Sequence, residues 1–227
     1  MKIGILGTGM VGQVLAPKLV ELGHDVMLGT RNVQDSLARS GKDNWGNPLF
    51  GDWHKLNPTV KVGTFAEAAA HGEWVMNASS GTGSLDALRS AGENNLNGKI
   101  LMDISNPLDF SKGMPPSLTV CNTDSLGEQI QAAFPKAKVV KALNTVNAYV
   151  MVAPNSLANG DHTLFVSGND VDAKADVTKF LKEQFGWKDI IDLGDISTAR
   201  GTEMYLPLWV RLWGATQSPM FSIKVVR

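Results

Sequence analysis

The sequence predicts a doubly wound α/β fold, a mostly parallel sheet with helices on both faces and a helical extension at the C-terminal end. Three observations carry this expectation. Short apolar runs alternate with segments of helical periodicity along the chain, the pattern of successive βα units. A glycine-rich turn, Gly7-Thr8-Gly9-Met10-Val11-Gly12, stands between the first such run and the first helical segment. The length of 227 residues suits one full sheet covered on both sides.

Taken in order, the run at 3–6 (Ile-Gly-Ile-Leu) reads as a buried strand, because parallel strands are covered on both faces and lack polar alternation. The helix expected over 10–22 gathers Val11, Val14, Leu15, Leu19 and Leu22 on one face. Gln13, Pro17 and Glu21 fall on the other, so the proline is expected to bend the helix rather than break it. Further strands are expected at 26–28, 60–62, 74–78, 100–103, 139–143, 163–167 and 190–193. Further helices are expected near 32–40, 65–71, 84–91, 124–133, 171–185 and 197–213. The stretch 41–58 is rich in Gly, Asn and Asp and reads as a long loop, in which Trp45, Phe50 and Trp53 either cap a ligand or pin the loop to its own domain. With no internal repeat or long linker, the chain reads as one compact unit, a core over about 1–145 and an extension over about 146–227.

The position of the glycine triplet makes it mechanical. After a strand and before a helix, Gly7 allows the tight turn, Gly9 lets backbone approach a pyrophosphate, and Gly12 lets the helix pack closely on the sheet. Thr8, Met10 and Val11 complete a turn whose bare N–H groups meet phosphate at a helix N-terminus. The expected role is the dinucleotide site of a Rossmann domain; the competing reading is a glycine-rich turn needed only for close packing.

The second strand ends in Gly29-Thr30-Arg31-Asn32, where NAD-binding chains place an acid against the ribose 2′-hydroxyl. An acid would repel a 2′-phosphate. Thr30 offers a hydroxyl, Arg31 a planar cationic fork and Asn32 an amide, all suited to phosphate oxygens. The expected cofactor is therefore NADP(H). The competing reading makes Arg31 a solvated loop residue and Asn32 the cap of the next helix.

Ligands of open parallel sheets bind beyond the carboxyl ends of the strands. Three small polar turns are expected there: Ala78-Ser79-Ser80, Asn106-Pro107, and Asn144-Thr145 with Ala148 close behind. All are candidate cofactor contacts, although each alone is also ordinary turn chemistry.

Composition narrows the function classes. A net charge of −1 with scattered lysines and arginines implies no nucleic-acid partner. Cys121 is the only cysteine, which rules out an internal disulfide and a cysteine metal cluster, and it is expected to be packed rather than reactive. The four histidines lack the spacing of a metal site. No secretory signal or membrane-spanning run is evident, so a cytoplasmic setting is expected.

The succession GTGMVG, GTRN, DISNPLD, KALNTVNA and LGDISTAR, followed by a last helix and Phe221-Ser222-Ile223-Lys224-Val225, resembles the NADPH-dependent coenzyme F420 reductase family. That family is in turn similar to the oxidoreductase domain of the Steap metalloreductases. The resemblance implies NADP(H) held by Gly7 to Gly12 and by Thr30 and Arg31, with a flavin or deazaflavin ring stacked on the nicotinamide and hydride passing directly between them. Such transfer needs alignment and exclusion of water more than a positioned acid or base, so no catalytic residue is assigned. Members that use coenzyme F420 carry a histidine where this chain has Asn144. An amide cannot become cationic and supplies only a neutral dipole to an acidic ring. The acceptor can therefore equally be a flavin, a quinone or another small conjugated molecule.

Two other classes stand beside this one. A carbonyl or imine reductase needs a proton donor, yet Tyr149 lacks a lysine four residues on, where Ala153 stands. A non-catalytic NADP-binding sensor would keep the cofactor site alone. The apolar segment with Trp209 and Trp213, together with the strand at Leu164 and Phe165, is expected to wall a second pocket, to fill the core or to form a homodimer contact.

Overall fold

The computed structural model describes residues 1–43 and 46–227. Trp45, one of the three aromatics assigned above to the long loop, lies outside the described residues. The first half of the chain runs β1 (Lys2–Leu6), α1 (Met10–Glu21), β2 (Asp25–Thr30), α2 (Val33–Ala38), α3 (Phe50–Leu56), β3 (Lys61–Thr64), α4 (Phe65–His71), β4 (Trp74–Asn77), α5 (Ser84–Ala91), α6 (Glu93–Leu96) and β5 (Ile100–Asp103). The second half runs β6 (Leu108–Asp109), β7 (Ser117–Leu118), α7 (Leu126–Ala133), β8 (Lys138–Ala142), α8 (Ala148–Val152), β9 (Thr163–Gly168), α9 (Val171–Phe180), β10 (Asp189–Asp192), α10 (Ala199–Met204) and α11 (Leu206–Thr216).

Eight strands form one sheet in the order β10-β9-β8-β5-β4-β1-β2-β3. Neighbours are parallel except β8 and β9, which pair antiparallel. The strand order reverses between β1 and β4, which is where a doubly wound sheet opens its ligand crevice.

Successive strand residues point to opposite faces, so the continuous apolar runs feed two cores. Ile3, Ile5, Met76, Met102 and Val140 pack on one side with Leu15 and Leu19 of α1. Leu6, Val75, Leu101 and Val139 pack on the other with Leu88 of α5 and Ile130 of α7. Local signals start the helices. Thr64 and Glu67 close a capping box at α4, and Ser125 and Asp170 cap α7 and α9 through their side chains.

All eight strands read from the sequence belong to this sheet, and α1 runs without interruption across Pro17. The departures are local. The stretch 41–58 is not all loop: α3 occupies its second half and buries Phe50 and Trp53, stacked at 5.5 Å, in the core. Gly51 allows this, since a Cβ there would overlap the Leu37 carbonyl oxygen at the end of α2. The single helix expected over 197–213 is divided at Tyr205, two residues before a proline that cannot supply the next backbone donor. The β6–β7 hairpin has strands too short to leave a periodic signal. Cys121 is exposed rather than packed, because it lies in the irregular segment after that hairpin. No helix among the described residues is long and apolar enough to cross a membrane.

Candidate functional site

Three clefts adjoin the switch between β1 and β4. The first, about 520 Å³, is walled by the β1–α1 turn, the β2–α2 turn and the turn after β4. Gly7, Thr8, Gly9, Thr30, Arg31, Asn32, Ala78, Ser79 and Ser80 all line it. Gly7 and Ser80, 73 positions apart in the sequence, are thus brought to one surface.

The three motif glycines are required for different reasons. Gly7 has φ +124°, and a Cβ on it would sit 2.5 Å from the Ala78 oxygen. A Cβ on Gly12 would overlap the Gly7 oxygen. Protein packing alone demands both. Gly9 is different, with extended φ −78° and ψ −175° and nothing within 4 Å of where its Cβ would stand. Its lack of a side chain answers to no neighbour in the protein. It leaves the cleft open above the first N–H groups of α1, which fits the approach of a diphosphate.

At the other end of the cleft, Arg31 is exposed and its guanidinium makes no hydrogen bond or ion pair among the described residues. Thr30 is buried, with its hydroxyl 2.6 Å from that of Ser36. One proton is shared between the two oxygens and the other remains available for a ligand. Asn32 caps α2 by accepting from the Asp35 N–H at 3.2 Å, and its amide donors stay free. The capping role and a phosphate contact are therefore compatible. Asp35 also lines this cleft, together with Arg31 and Arg39.

The second guanidinium was not singled out from the sequence. Arg39 closes the end of α2, donates to the Thr8 hydroxyl at 2.7 Å and lies 5.7 Å over the Phe50 ring. Asn32, Ser36 and Arg39 are spaced i, i+4, i+7, one helix face, and that spacing was the available signal.

A smaller cleft of about 230 Å³ continues over β4 and β5, lined by Val11, Ala78, Ser79, Ser80, Asn106 and Phe110 among others. No ionisable side chain among the described residues lines it. Here several expected contacts face elsewhere. Ser79 donates its hydroxyl to Asn77 at 2.6 Å. The Asn106 amide donates to the Asn144 carbonyl oxygen at 2.8 Å, while the Asn144 amide donates to the Asn106 side chain at 3.0 Å. Pro107, Asn144, Thr145 and Ala148 are buried and line none of these clefts. The third polar turn thus stands behind the rim and braces Asn106. Leu143 turns the chain there with φ +63°, an uncommon conformation for a non-glycine residue.

Beneath the rim lies a charge cluster that leaves no periodic sign along the chain. The Lys141 ammonium is 2.8 Å from the Asp103 carboxylate and 2.7 Å from that of Glu203, all three side chains being at most 2% exposed. Lys141 also donates to the Ser105 carbonyl at 2.6 Å. Glu203 accepts from the Leu126 and Gly127 N–H groups at the start of α7. Asp103 accepts from Asn77 and from the Ser105 hydroxyl. Burial alone would depress the lysine, but the two carboxylates outweigh it and hold its pKa above the ordinary 10.5. The cluster fastens α10 and α7 to the floor of the cofactor rim.

The third cleft, about 420 Å³, adjoins the first at Thr8, Gly9 and Arg39 and is walled mainly by apolar side chains of α1, the β2–β3 connection and Tyr149. Leu164 is buried in the main core, and Trp209 stacks on Phe221 at 5.1 Å. Neither these residues nor Trp213 line the three clefts, so they do not wall a second pocket at this rim.

Comparison with known proteins gives consistent relationships. Residues 2–107 match the family described as NADP oxidoreductase, coenzyme F420-dependent. A crystal structure from Arthrobacter sp. FB24, of a candidate F420-dependent NADP-reductase, is 54% identical with a TM-score of 0.94 and full coverage of both chains. The F420-dependent NADP reductase of Methanothermobacter marburgensis is 26% identical over 216 residues, 93% of this chain and 92% of its own. Rat metalloreductase STEAP3 is 27% identical over 212 residues, which is 92% of this chain but only 38% of that protein.

Proposed function

This chain belongs to the coenzyme F420-dependent NADP oxidoreductase family and is an NADP-dependent oxidoreductase, and from that premise we propose that it transfers hydride directly between NADP(H) and a small conjugated acceptor of the flavin or deazaflavin type. The observation that carries the cofactor assignment is the pairing of an open backbone turn at Gly9 with an unpaired guanidinium at Arg31, at opposite ends of one cleft. In this reading the N–H groups of Met10, Val11 and Gly12 receive the diphosphate. Arg31, aided by Arg39 and the Thr30–Ser36 hydroxyl pair, receives the 2′-phosphate, because a planar cation and hydroxyl donors match its oxygens.

The bound dinucleotide supplies the hydride chemistry, and the chain supplies alignment and a dry wall. Val11, Ile104 and Leu108 form an apolar surface for the nicotinamide end. Asn106, held by Asn144, keeps one amide proton free beside it. No ionisable side chain among the described residues lines that surface.

The test is a titration with NADPH and NADH followed by NADPH oxidation against flavin and coenzyme F420. Preference for NADPH, abolished by Arg31→Ala, is the expected result. Equal affinity for both dinucleotides would remove Arg31 from its role. Tight NADPH binding without hydride loss to any acceptor would leave a nucleotide-binding protein and no oxidoreductase.

A further inference from the structure

The last residue of β4 is an asparagine whose side-chain amide is held in one orientation. Asn77 and Asp103 pair across the carboxyl ends of β4 and β5, and both are fully buried. The Asp103 carboxylate is joined to the Lys141 ammonium at 2.8 Å and takes the Ser105 hydroxyl at 2.7 Å, so toward Asn77 it acts as an acceptor. The NH2 end of the Asn77 amide therefore faces Asp103, at 2.9 Å, and its oxygen faces away.

That oxygen meets the turn after β4. It accepts from the Ser79 N–H at 3.3 Å and from the Ser79 hydroxyl at 2.6 Å. The second Asn77 N–H goes to the buried Ser84 hydroxyl at 3.1 Å, and the Ser84 oxygen lies 3.0 Å from that of Ser79. Because the Ser79 proton is committed to Asn77, Ser84 is the donor across that gap. Donation thus runs in a closed ring, from Asn77 to Ser84 to Ser79 and back to Asn77, in a direction set by the buried carboxylate. Ser79 keeps one lone pair and has no proton to offer.

Ser79 is half-buried and lines both the larger cleft and the smaller one over β4 and β5. Asn106 lines the smaller cleft with the opposite polarity, since one of its amide protons goes to the Asn144 carbonyl and the other is uncommitted. The two turns abut, because a Cβ on Gly81 would overlap the Asn106 carbonyl oxygen. Neighbouring turns thus present an acceptor and a donor in a cleft that no ionisable side chain among the described residues lines. A primary carboxamide has the complementary pair, an N–H donor and a carbonyl oxygen, and no charge. A carboxylate or phosphate offers acceptors alone and would leave the Ser79 lone pair unmet.

We propose that Ser79 and Asn106 bind the nicotinamide carboxamide, Ser79 accepting its N–H and Asn106 donating to its oxygen, and that Asn77 is the positioning residue that fixes the polarity of Ser79. The inference rests on the NADP(H) reading above and assigns the contacts that orient its reactive ring. Together they pin one edge of the ring, which supplies alignment for direct hydride transfer.

The test compares NADP⁺ with its 3-acetylpyridine analogue, in which a methyl ketone replaces the carboxamide and the N–H donor is lost. Calorimetry on the full chain should show NADP⁺ binding about tenfold tighter than the analogue, the effect of leaving one acceptor in the cleft unmet. Ser79→Ala should bring the two within about twofold of each other, while Ser79→Thr, which keeps the hydroxyl, should retain the wild-type ratio. Asn77→Ala should lose the discrimination although Ser79 is intact, because the Ser79 proton is then free to turn toward the cleft. A residue that only braced the fold would weaken both dinucleotides alike and leave their ratio unchanged. Equal affinity of wild type for the two, or a wild-type ratio in Ser79→Ala, would overturn the proposal, and a wild-type ratio in Asn77→Ala would remove Asn77 from it. Ser79 is only half-buried, so its variants fold even if Asn77→Ala does not. Binding of neither dinucleotide would instead sink the cofactor reading on which the proposal rests.

Discussion

Replacing Lys141 by Met tests whether the buried charge cluster holds the cofactor rim together. The substitution keeps the length of the side chain and removes its ammonium, leaving the Asp103 and Glu203 carboxylates buried with backbone and amide donors but no cation. Breaking a buried ion pair by removing one partner costs about 3–5 kcal/mol, because the remaining charge is desolvated without compensation. For a chain of this length, unfolding entropy converts each kcal/mol into roughly 2 °C, so the melting temperature should fall by about 6–10 °C. Circular dichroism on heating measures it. The triple change Lys141→Met, Asp103→Asn and Glu203→Gln removes every charge and should recover most of the loss, since a buried pair need not be stabilising against neutral replacements. A single variant melting within about 1 °C of wild type, or a triple variant no better than the single one, would refute the reasoning. The pH dependence has a fixed sign. The folded Lys141 pKa is raised above 10.5, so its contribution is fully present below that value and is lost as pH rises through the higher folded pKa. Wild type should therefore lose stability in strong alkali more steeply than Lys141→Met.

The remaining predictions concern the cofactor cleft. Arg31→Ala should weaken NADPH binding by about 1.5–3 kcal/mol, roughly ten- to hundredfold, and leave NADH nearly unchanged, as read by fluorescence titration; an equal loss for both would contradict the 2′-phosphate role. Gly9→Val should fold with an unchanged melting temperature, because its Cβ position is open, yet lose dinucleotide binding. Retained affinity would show that the turn does not touch phosphate. Gly12→Ala should by contrast lower the melting temperature, since its Cβ overlaps the Gly7 oxygen. Arg39→Met should lower NADPH affinity more than NADH affinity, and equal effects would restrict Arg39 to bracing the Thr8 turn.

Much of the architecture was legible because parallel strands buried on both faces are continuous apolar runs and the helices between them keep a 3.6-residue period. The runs at 3–6, 74–78, 100–103 and 139–143 each became a central strand. The misses share a cause. The β6–β7 hairpin is two residues per strand, and α3 and α8 are five to seven residues long, too short for periodicity to accumulate. Pro207 was visible, but an apolar stretch from Tyr205 to Trp213 masked its effect on the last helix.

The site divides along the same line. Gly7, Gly9, Thr30 and Arg31 line one cleft, each placed by a turn whose conformation a few neighbouring residues fix. Asn144, Thr145 and Ala148 belong to an equally suggestive turn, but they are buried and line none of the clefts, with Asn144 bonded to Asn106. Which way such a turn faces is set by the packing of separate elements, which local sequence does not encode.

What the amino-acid order determined by itself, then, are the strands of the sheet and the glycine turn after β1, each of which rests on residues close together in the chain. The tertiary structure alone decided that Lys141, Asp103 and Glu203 meet beneath the rim, that Arg39 returns to Thr8, and that α1 leaves Met10, Val14 and Pro17 facing an open cleft. Those pairings join residues 31 to 62 positions apart, and only the packing of separate elements onto a common sheet sets their distances.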